Sequence, residues 1–100
     1  MSADNQGFVY ILASFNGVAI YIGSTNDLVR RGFEHRNQLI ESHTKRYQIH
    51  KLVYYELCDN LGAAILREKR IKRWRREWKQ KLITDFNPKW EDLYSRIAQA

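Results

Sequence analysis

A short turn signal between two apolar segments constrains the fold of this chain most strongly. Asn16-Gly17 separates Phe8-Val9-Tyr10-Ile11-Leu12-Ala13 from Val18-Ala19-Ile20-Tyr21-Ile22, and both segments are rich in β-branched and aromatic residues. An Asn-Gly pair readily adopts the positive φ angles of a two-residue hairpin turn. The sequence therefore predicts two antiparallel strands joined by a tight turn, with Phe15 opposite Val18.

This hairpin determines which side chains share a face of the sheet. Counting back from the turn pairs Leu12 with Tyr21 and Tyr10 with Gly23, which places the two tyrosines on one face. Diagonal neighbours across an antiparallel pair lie ~7–8 Å apart, whereas a slip of one residue would put them on opposite faces. Each tyrosine alone is an ordinary strand aromatic that packs on a core. The pair on one face suggests a shared site.

A helix is predicted directly after the hairpin. Ser24-Thr25-Asn26-Asp27 offers capping side chains, so the helix should begin near Asn26 or Asp27. Arg31 and His35 lie one turn apart, and we expect them at the boundary between core and solvent. Gly23, just before the helix, would let a phosphate or another backbone approach closely. The predicted apolar arc of the helix consists of Leu28, Val29, Phe33, Leu39 and Ile40.

The remainder of the chain predicts a polar surface loop over 42–51, a third strand and two more helices. Leu52-Val53-Tyr54-Tyr55-Glu56-Leu57 has the composition of a strand, and a helical pattern continues from Asn60 to about Lys81. Asn87-Pro88 predicts the cap and first residue of a last helix. The expected fold is therefore α/β of the α+β type, a three-stranded antiparallel sheet flanked by helices. The stripe of the long helix is Leu61, Ala64, Ile65, Ile71, Trp74 and Trp78, and the last helix docks through Trp90, Leu93, Tyr94 and Ile97.

Composition narrows the class of protein. One hundred residues with ordinary globular proportions predict a single domain over 1–100. The single Cys58 forms no internal disulfide and suits a reducing compartment, and no signal segment or apolar run of ~20 residues is evident. We therefore expect a cytoplasmic protein. A net charge of +6 favours an anionic partner, and its clustering favours nucleic acid over membrane.

The basic charge is concentrated in the predicted long helix. Nine lysines and arginines lie between Arg67 and Lys81, against only Glu68 and Glu77. Such a run is often a solvated helix face, with Trp74 and Trp78 as core anchors. Nine mutually repelling cations instead favour a surface that follows phosphates. The residues expected to contact nucleic acid there are Lys72, Arg73 and Arg76, aided by Lys45 and Arg46.

Glu68 lies inside the apolar stripe, where a hydrophobic residue would be expected. A carboxylate in that position needs a partner. The ordinary partner is Lys72 at i+4, in a helix salt pair worth a few tenths of a kcal/mol. The functional partner is a divalent cation, because a single carboxylate with waters and substrate phosphate is a typical magnesium arrangement. Periodicity alone favours the salt pair.

The spacing of these polar residues resembles the GIY-YIG nuclease family. The similarity runs from about residue 8 to 90 and is closest to the small bacterial members that consist of the bare domain, although Phe8-Val9 replaces the family's Gly-Ile before Tyr10. Glu68 falls where the family carries its metal-binding glutamate, and Asn87 where it carries a late asparagine. The matching positions are Tyr10, Tyr21, Gly23, Arg31, His35, Glu68 and Asn87.

The resemblance implies a role for each residue. Tyr21 activates the attacking water, with Tyr10 as its hydrogen-bonding companion or an alternative base, and Glu68 holds Mg²⁺ or Mn²⁺. Arg31 neutralises the phosphate with a planar guanidinium, although composition alone favours an ordinary surface cation. His35 orients the phosphate, protonates a leaving group or simply covers the helix. Asn87 contacts the nucleic acid or is a plain helix cap.

The expected function is a metal-dependent endonuclease that hydrolyses phosphodiester bonds in nucleic acid, with DNA as the expected substrate and repair or recombination as its context. Two alternatives remain open: a non-catalytic nucleic-acid-binding module on the same fold, and an interaction domain that recruits repair proteins. The sequence leaves open whether the substrate is duplex, branched, damaged or single-stranded DNA, or RNA. A monomer is assumed.

Overall fold

The computed structural model describes residues 6–37 and 48–98, and these form one antiparallel sheet with helices on both faces. The strands lie in the order β2-β1-β3, so β1 is central and β2 is an edge strand. The predicted α+β class is confirmed. Leu39, Ile40, Lys45 and Arg46, with most of the predicted polar loop, lie outside the described residues. In chain order the elements are β1 Gly7–Ala13, β2 Ile20–Thr25, α1 Leu28–Arg36, β3 Lys51–Cys58, α2 Leu61–Lys72, α3 Arg76–Phe86 and α4 Tyr94–Ile97.

The register of the first hairpin is as predicted, but its turn is not. Tyr10 pairs with Gly23 and Leu12 with Tyr21. The predicted two-residue turn is wrong, because the Gly17 N–H donates to the Ser14 carbonyl (2.9 Å) and the Ser14 N–H donates to the Ala19 carbonyl (2.9 Å). The loop is therefore longer by one residue on each side. A symmetric lengthening leaves the pairing of the strands unchanged.

The central strand is buried on both faces, which places the two halves of the core on opposite sides of the sheet. Alternate residues of a strand point to opposite faces. Val9, Ile11 and Ala13 pack with α2 and α3, through Ala64, Ile71 and Ile83 among others. Tyr10 and Leu12 pack with the other side, where Leu28, Ile49, Leu52 and Leu93 complete the cluster. Helix α1 therefore covers the face that carries both tyrosines.

Helix α1 begins as predicted but buries a different face. Asp27 is the cap, and its side chain accepts a hydrogen bond from the Arg30 N–H at 3.1 Å. The predicted apolar arc is confirmed at Leu28, which is buried, but it is wrong at Val29 and Phe33, which are exposed. The helix buries Gly32 and His35 beside Leu28. A Cβ at position 32 would lie 2.9 Å from Tyr94 Cδ1. The absent side chain lets α4 pack closely against α1.

The predicted long helix is two helices, α2 and α3, with a break at residues 73–75. A straight helix from 60 to 81 would span ~33 Å, longer than the ~26 Å of an eight-residue strand. The break returns α3 to β3, and the Lys79 ammonium donates to the Lys72 carbonyl (3.1 Å) at the end of α2. Trp74 packs on the core, but Trp78 is 56% exposed, so its prediction as a core anchor is wrong.

Within the described part of the chain, no helix is both long and apolar enough to cross a membrane.

Asn87 ends α3 rather than beginning a helix, so the predicted N-cap is wrong. Its side chain is buried, and its amide donates to the carbonyls of Val53 (3.1 Å) and Glu91 (2.8 Å). Its side-chain oxygen accepts from the Glu91 N–H at 3.1 Å. The side chain thus connects β3 to the segment before α4, and four residues from 94 to 97 form that last helix.

We expect Asn87→Ala to lower the free energy of unfolding by at least about 2 kcal/mol, because it leaves buried backbone groups without partners. Urea denaturation followed by circular dichroism measures this. Asn26→Ala, at an exposed position, is the control and should change stability by less than about 0.5 kcal/mol. Equal stabilities of the two variants would contradict the structural role of Asn87.

Candidate active site

The predicted site residues converge on the edge strand β2 from both faces of the sheet. Tyr10 and Tyr21 belong to the core cluster beneath α1, whereas Ile22 belongs to the cluster beneath α2. By alternation, Ser24 points to the same side as Ile22. Among residues 6–37 and 48–98, no further strand pairs with the free side of β2. Groups from α1 and from α2 can therefore meet at this edge.

Three rings form the centre of the site. The ring centroids of Tyr10 and Tyr21 are 6.3 Å apart, as expected for a diagonal pair. His35 lies 5.8 Å from Tyr10 and 5.5 Å from Tyr21, centroid to centroid. The Tyr10 hydroxyl and His35 Nε2 are 3.2 Å apart. The structure thus brings together residues that are 25 positions apart in the chain.

Gly23 makes room for the Tyr10 ring. A Cβ at position 23 would lie 2.5 Å from Tyr10 Oη and 2.6 Å from its Cζ, distances that no side chain tolerates. Gly23 is itself buried. The close approach expected at this glycine is therefore made by a phenol of the same chain. Its predicted contact with nucleic acid remains a prediction.

Burial controls the protonation of the two central groups. It raises the pKa of Tyr10 well above the ordinary value of 10.0, with the neighbouring Tyr21 acting in the same direction. Burial, reinforced by the charge of Arg31, lowers the pKa of His35 to about 4. At neutral pH the phenol keeps its proton and the imidazole is uncharged. The Tyr10 hydroxyl and Nε2 therefore share a hydrogen bond between two uncharged groups, and the tautomer of His35 sets which of them donates.

Arg31 presents a donor to this centre. Its charge acts on both Tyr10 and His35. Within the part of the chain that the structure describes, the nearest acidic oxygen is Oε1 of Glu34, at 3.7 Å from Nε, which is too long for a hydrogen bond. Among residues 6–37 and 48–98, nothing accepts a hydrogen bond from this buried Nε. A buried guanidinium nitrogen without an acceptor is costly. The side chain as a whole is 36% exposed, so an anion can approach the rest of the guanidinium.

Glu68 reaches the edge from the α2 side. Its side chain is only 16% exposed, and Oε2 lies 2.5 Å from the Lys72 ammonium, so the salt pair expected from the helical spacing is present. The Ser24 hydroxyl donates to Oε1 at 2.5 Å. Sequence reasoning missed Ser24 as a site residue. The period of two in β2, applied one residue beyond Gly23, was the signal that could have found it.

Among the described residues of the site, only Glu68 is suited to bind a magnesium ion. Within the two described ranges, no three His, Cys, Asp or Glu side chains come together to hold a metal. A single carboxylate completed by water and phosphate oxygens is nevertheless an ordinary Mg²⁺ arrangement. Lys72 already places a positive charge against that carboxylate, and its side chain is 50% exposed. A cation at Oε2 of Glu68 would take the place of the Lys72 ammonium, while Ser24 binds the other oxygen.

The predicted nucleic-acid contacts occupy different environments. Lys72 is paired with Glu68, and the Arg76 guanidinium donates to the carbonyls of Gly17 (3.2 Å) and Val18. Arg73 is exposed at the break between α2 and α3. Asn87 is buried in the hydrogen bonds described above, and Lys45 and Arg46 lie outside the described residues. The structure leaves their contacts with nucleic acid as predictions.

The sequence assigns the chain to a known family. The family model for the GIY-YIG catalytic domain matches residues 6–81. These residues include the three rings, Arg31 and Glu68. The chain therefore belongs to the GIY-YIG family, a nuclease family.

Several similar proteins carry the name UPF0213 protein. One from Staphylococcus saprophyticus is 33% identical over 81 residues, covering 81% of this chain and 98% of its own. One from Clostridium perfringens is 34% identical over 92 residues, covering 92% and 98%. One from Haloquadratum walsbyi is 36% identical over 83 residues, covering 80% and 92%. A solution NMR structure of a UPF0213 protein from Bacillus halodurans is 26% identical, with a TM-score of 0.49 over 79% of this chain and 83% of that chain.

The low pKa of His35 predicts an acid-sensitive stability. Because the unfolded chain binds a proton near pH 6.5 and the folded chain only near pH 4, stability is complete above 6.5 and falls as the pH drops to about 4. We expect this histidine to contribute ~2–3 kcal/mol to that loss. Urea denaturation at several pH values should show a shallower acid slope for His35→Gln. His50→Gln, at a half-buried histidine, is the control, and an unchanged slope in His35→Gln would refute the assignment.

Proposed function

We propose that this protein is a metal-dependent endonuclease that hydrolyses phosphodiester bonds in nucleic acid, with DNA as its substrate. The observation that carries the proposal is the packing of Tyr10, Tyr21 and His35 within 6.3 Å of one another beside Arg31. Because the chain belongs to a nuclease family, we interpret this arrangement as a site of phosphodiester hydrolysis. A role in repair or recombination is part of the same proposal.

Tyr21 is the base that accepts the proton of the attacking water. Tyr10 is unsuited to that role because it is 3% exposed and its pKa is raised by burial. Tyr21 is half-buried on the same face and lies against the other two rings. Tyr10 instead stays protonated and hydrogen-bonds His35, and its ring packs against Tyr21. The tyrosines thus divide into a base and its companion.

Arg31 binds the phosphate, and His35 positions the phenols. Hydrolysis builds negative charge on the equatorial oxygens, and the guanidinium of Arg31, whose side chain is 36% exposed, is a donor for them. His35 is uncharged at neutral pH, so it has no imidazolium proton to give to a leaving group. Its contact with Tyr10 supports a role in positioning that phenol, which differs from the phosphate-orienting role expected from the sequence.

Glu68 is the residue that would hold a divalent cation. When bound, Mg²⁺ or Mn²⁺ supplies Lewis-acid stabilisation of the charge that develops on the phosphate oxygens. The Ser24 hydroxyl holds Oε1 of Glu68 in place, and Lys72 balances the carboxylate when no metal is bound. Oxygen ligands of this kind suit Mg²⁺ and Mn²⁺.

The second candidate is a nucleic-acid-binding module that does not cut. The contacts of Glu68 favour it, because Ser24 and Lys72 already satisfy both carboxylate oxygens. In that case Glu68 is structural, and a cation has no role. The two candidates differ in what happens when Glu68 loses its charge.

We expect Tyr21→Phe to fold normally and to lose cleavage by at least ~100-fold, because the ring stays and the base is removed. Single-turnover cleavage of single-stranded, duplex and branched DNA, and of RNA, with Mg²⁺ or Mn²⁺, measures this. Tyr55→Phe is a matched control, a half-buried tyrosine on the same face of β3. Wild-type rates in Tyr21→Phe would move the base role to another group.

We expect Glu68→Gln to bind nucleic acid within about twofold of wild type and to lose metal-dependent cleavage by at least ~100-fold. The amide keeps the volume and hydrogen bonding but lacks the charge that a divalent cation requires. Glu77→Gln, on the exposed surface of α3, is the control. Cleavage by Glu68→Gln at the wild-type rate would refute the metal role, and no cleavage by wild type on any of the four substrates would favour the binding module.

A further inference from the structure

The turn of the first hairpin presents an aromatic ring to solvent. Phe15 is 85% exposed, more than any other large hydrophobic side chain in the described residues. The turn that carries it is held from several sides. Asn16 Oδ1 accepts from the Val18 N–H (3.1 Å), the Arg76 guanidinium binds two carbonyls of the loop, and the Lys51 ammonium donates to the Phe15 carbonyl (3.3 Å). The ring is therefore exposed on an ordered support.

A cationic cavity of about 210 Å³ lies beside this ring. The Lys51 ammonium is 6.0 Å from the Phe15 ring centroid. Arg36 is paired with Asp92, so the one carboxylate of the cavity is already neutralised. Within the described part of the chain, Lys51 has no acidic partner. The residues that line the cavity are Phe15, Arg36, His50, Lys51 and Asp92.

This cavity lies on the face of the candidate active site but at a distance from it. Arg36 follows His35 directly in α1, and Phe15 lies five residues beyond Tyr10 along the chain. Tyr10 and Ala13, the last residue of β1, lie ~10 Å apart at the rise of a strand, and Phe15 follows two residues further, in the turn. A nucleotide held here is therefore a different one from the nucleotide whose phosphate meets Arg31.

We propose that this cavity binds an unpaired nucleotide of the substrate, with its base stacked on Phe15 and its phosphate at Lys51. Aromatic stacking beside a cation is how proteins bind single strands without sequence preference. A base inside a duplex is stacked on both faces, so an open ring selects single-stranded or splayed ends. The inference rests on the proposed function for the identity of the strand, and it narrows the substrate to nucleic acid with an unpaired segment.

Binding of short oligonucleotides without metal tests the two contacts separately. The probes are fluorescein-labelled oligothymidylate, an abasic strand of the same length and a hairpin-capped duplex. We expect Phe15→Leu to weaken oligothymidylate binding by about 5- to 100-fold, as loss of one stacked base predicts, and to leave binding of the abasic strand and the duplex unchanged. We expect Lys51→Met to weaken binding of both single strands and to lower the salt slope by about one.

Two control variants test whether loss of any exposed aromatic ring, or of any surface lysine, changes binding. Phe33 is 48% exposed and lies two residues before His35 in α1, so it points away from the site, and Phe33→Leu should bind like wild type. Lys81 is paired with Asp85 on α3, and Lys81→Met is the control for the loss of a lysine in Lys51→Met. Thermal melts confirm that all four variants fold.

The outcomes distinguish this inference from the nuclease proposal. Unchanged oligothymidylate binding in Phe15→Leu, or equal losses on the abasic strand, would overturn the nucleotide site and leave the turn as a contact for protein. No binding of either single strand by wild type would overturn it as well. Loss of base-dependent binding in Phe15→Leu, together with no cleavage by wild type, would support the site while refuting the nuclease proposal.

Discussion

The contact between the Tyr10 phenol and the bare backbone of Gly23 organises the candidate site. It exists because β1 and β2 pair in one register, with these two residues directly opposite each other. Any side chain at position 23 would overlap the phenol, which would then lose its place beside His35. Tyr21, Arg31 and His35 all depend on this arrangement, because the ring of Tyr10 is the surface on which the others pack or act.

The site has a buried, uncharged part and a part that carries the charged side chains. On the α1 side, burial keeps Tyr10 protonated and His35 uncharged at neutral pH. The charges lie at the rim, with Arg31 on α1 and Glu68 on α2. Because β2 is an edge strand, these two groups approach from opposite faces of the sheet. A phosphate at that edge would meet the donor of Arg31 and a cation at Glu68 together, which is the arrangement that the proposed hydrolysis needs.

Local sequence signals predicted the strands and the start of α1 well, and the ends of the later helices poorly. The β1–β2 register was predictable because it follows from counting back from a turn, even though the turn itself is longer. The break between α2 and α3 was not predictable, since 73–75 contain no proline or glycine and the length of the sheet is what requires the chain to return. Asn87 before proline has the pattern of an N-cap, but its amide binds carbonyls of β3 and of the segment after it.

The sequence by itself determined the pairing of Tyr10 with Gly23, the capping of α1 at Asp27, the basic charge and the family, because each depends on local spacing or on composition. Only the tertiary structure decided that His35 is buried and uncharged, that Ser24 holds Glu68, and that Phe15 stands exposed beside Lys51. These properties come from contacts between elements far apart in the chain. Burial, desolvation and side-chain partners depend on which surfaces finally pack together, and residue spacing alone does not contain that information.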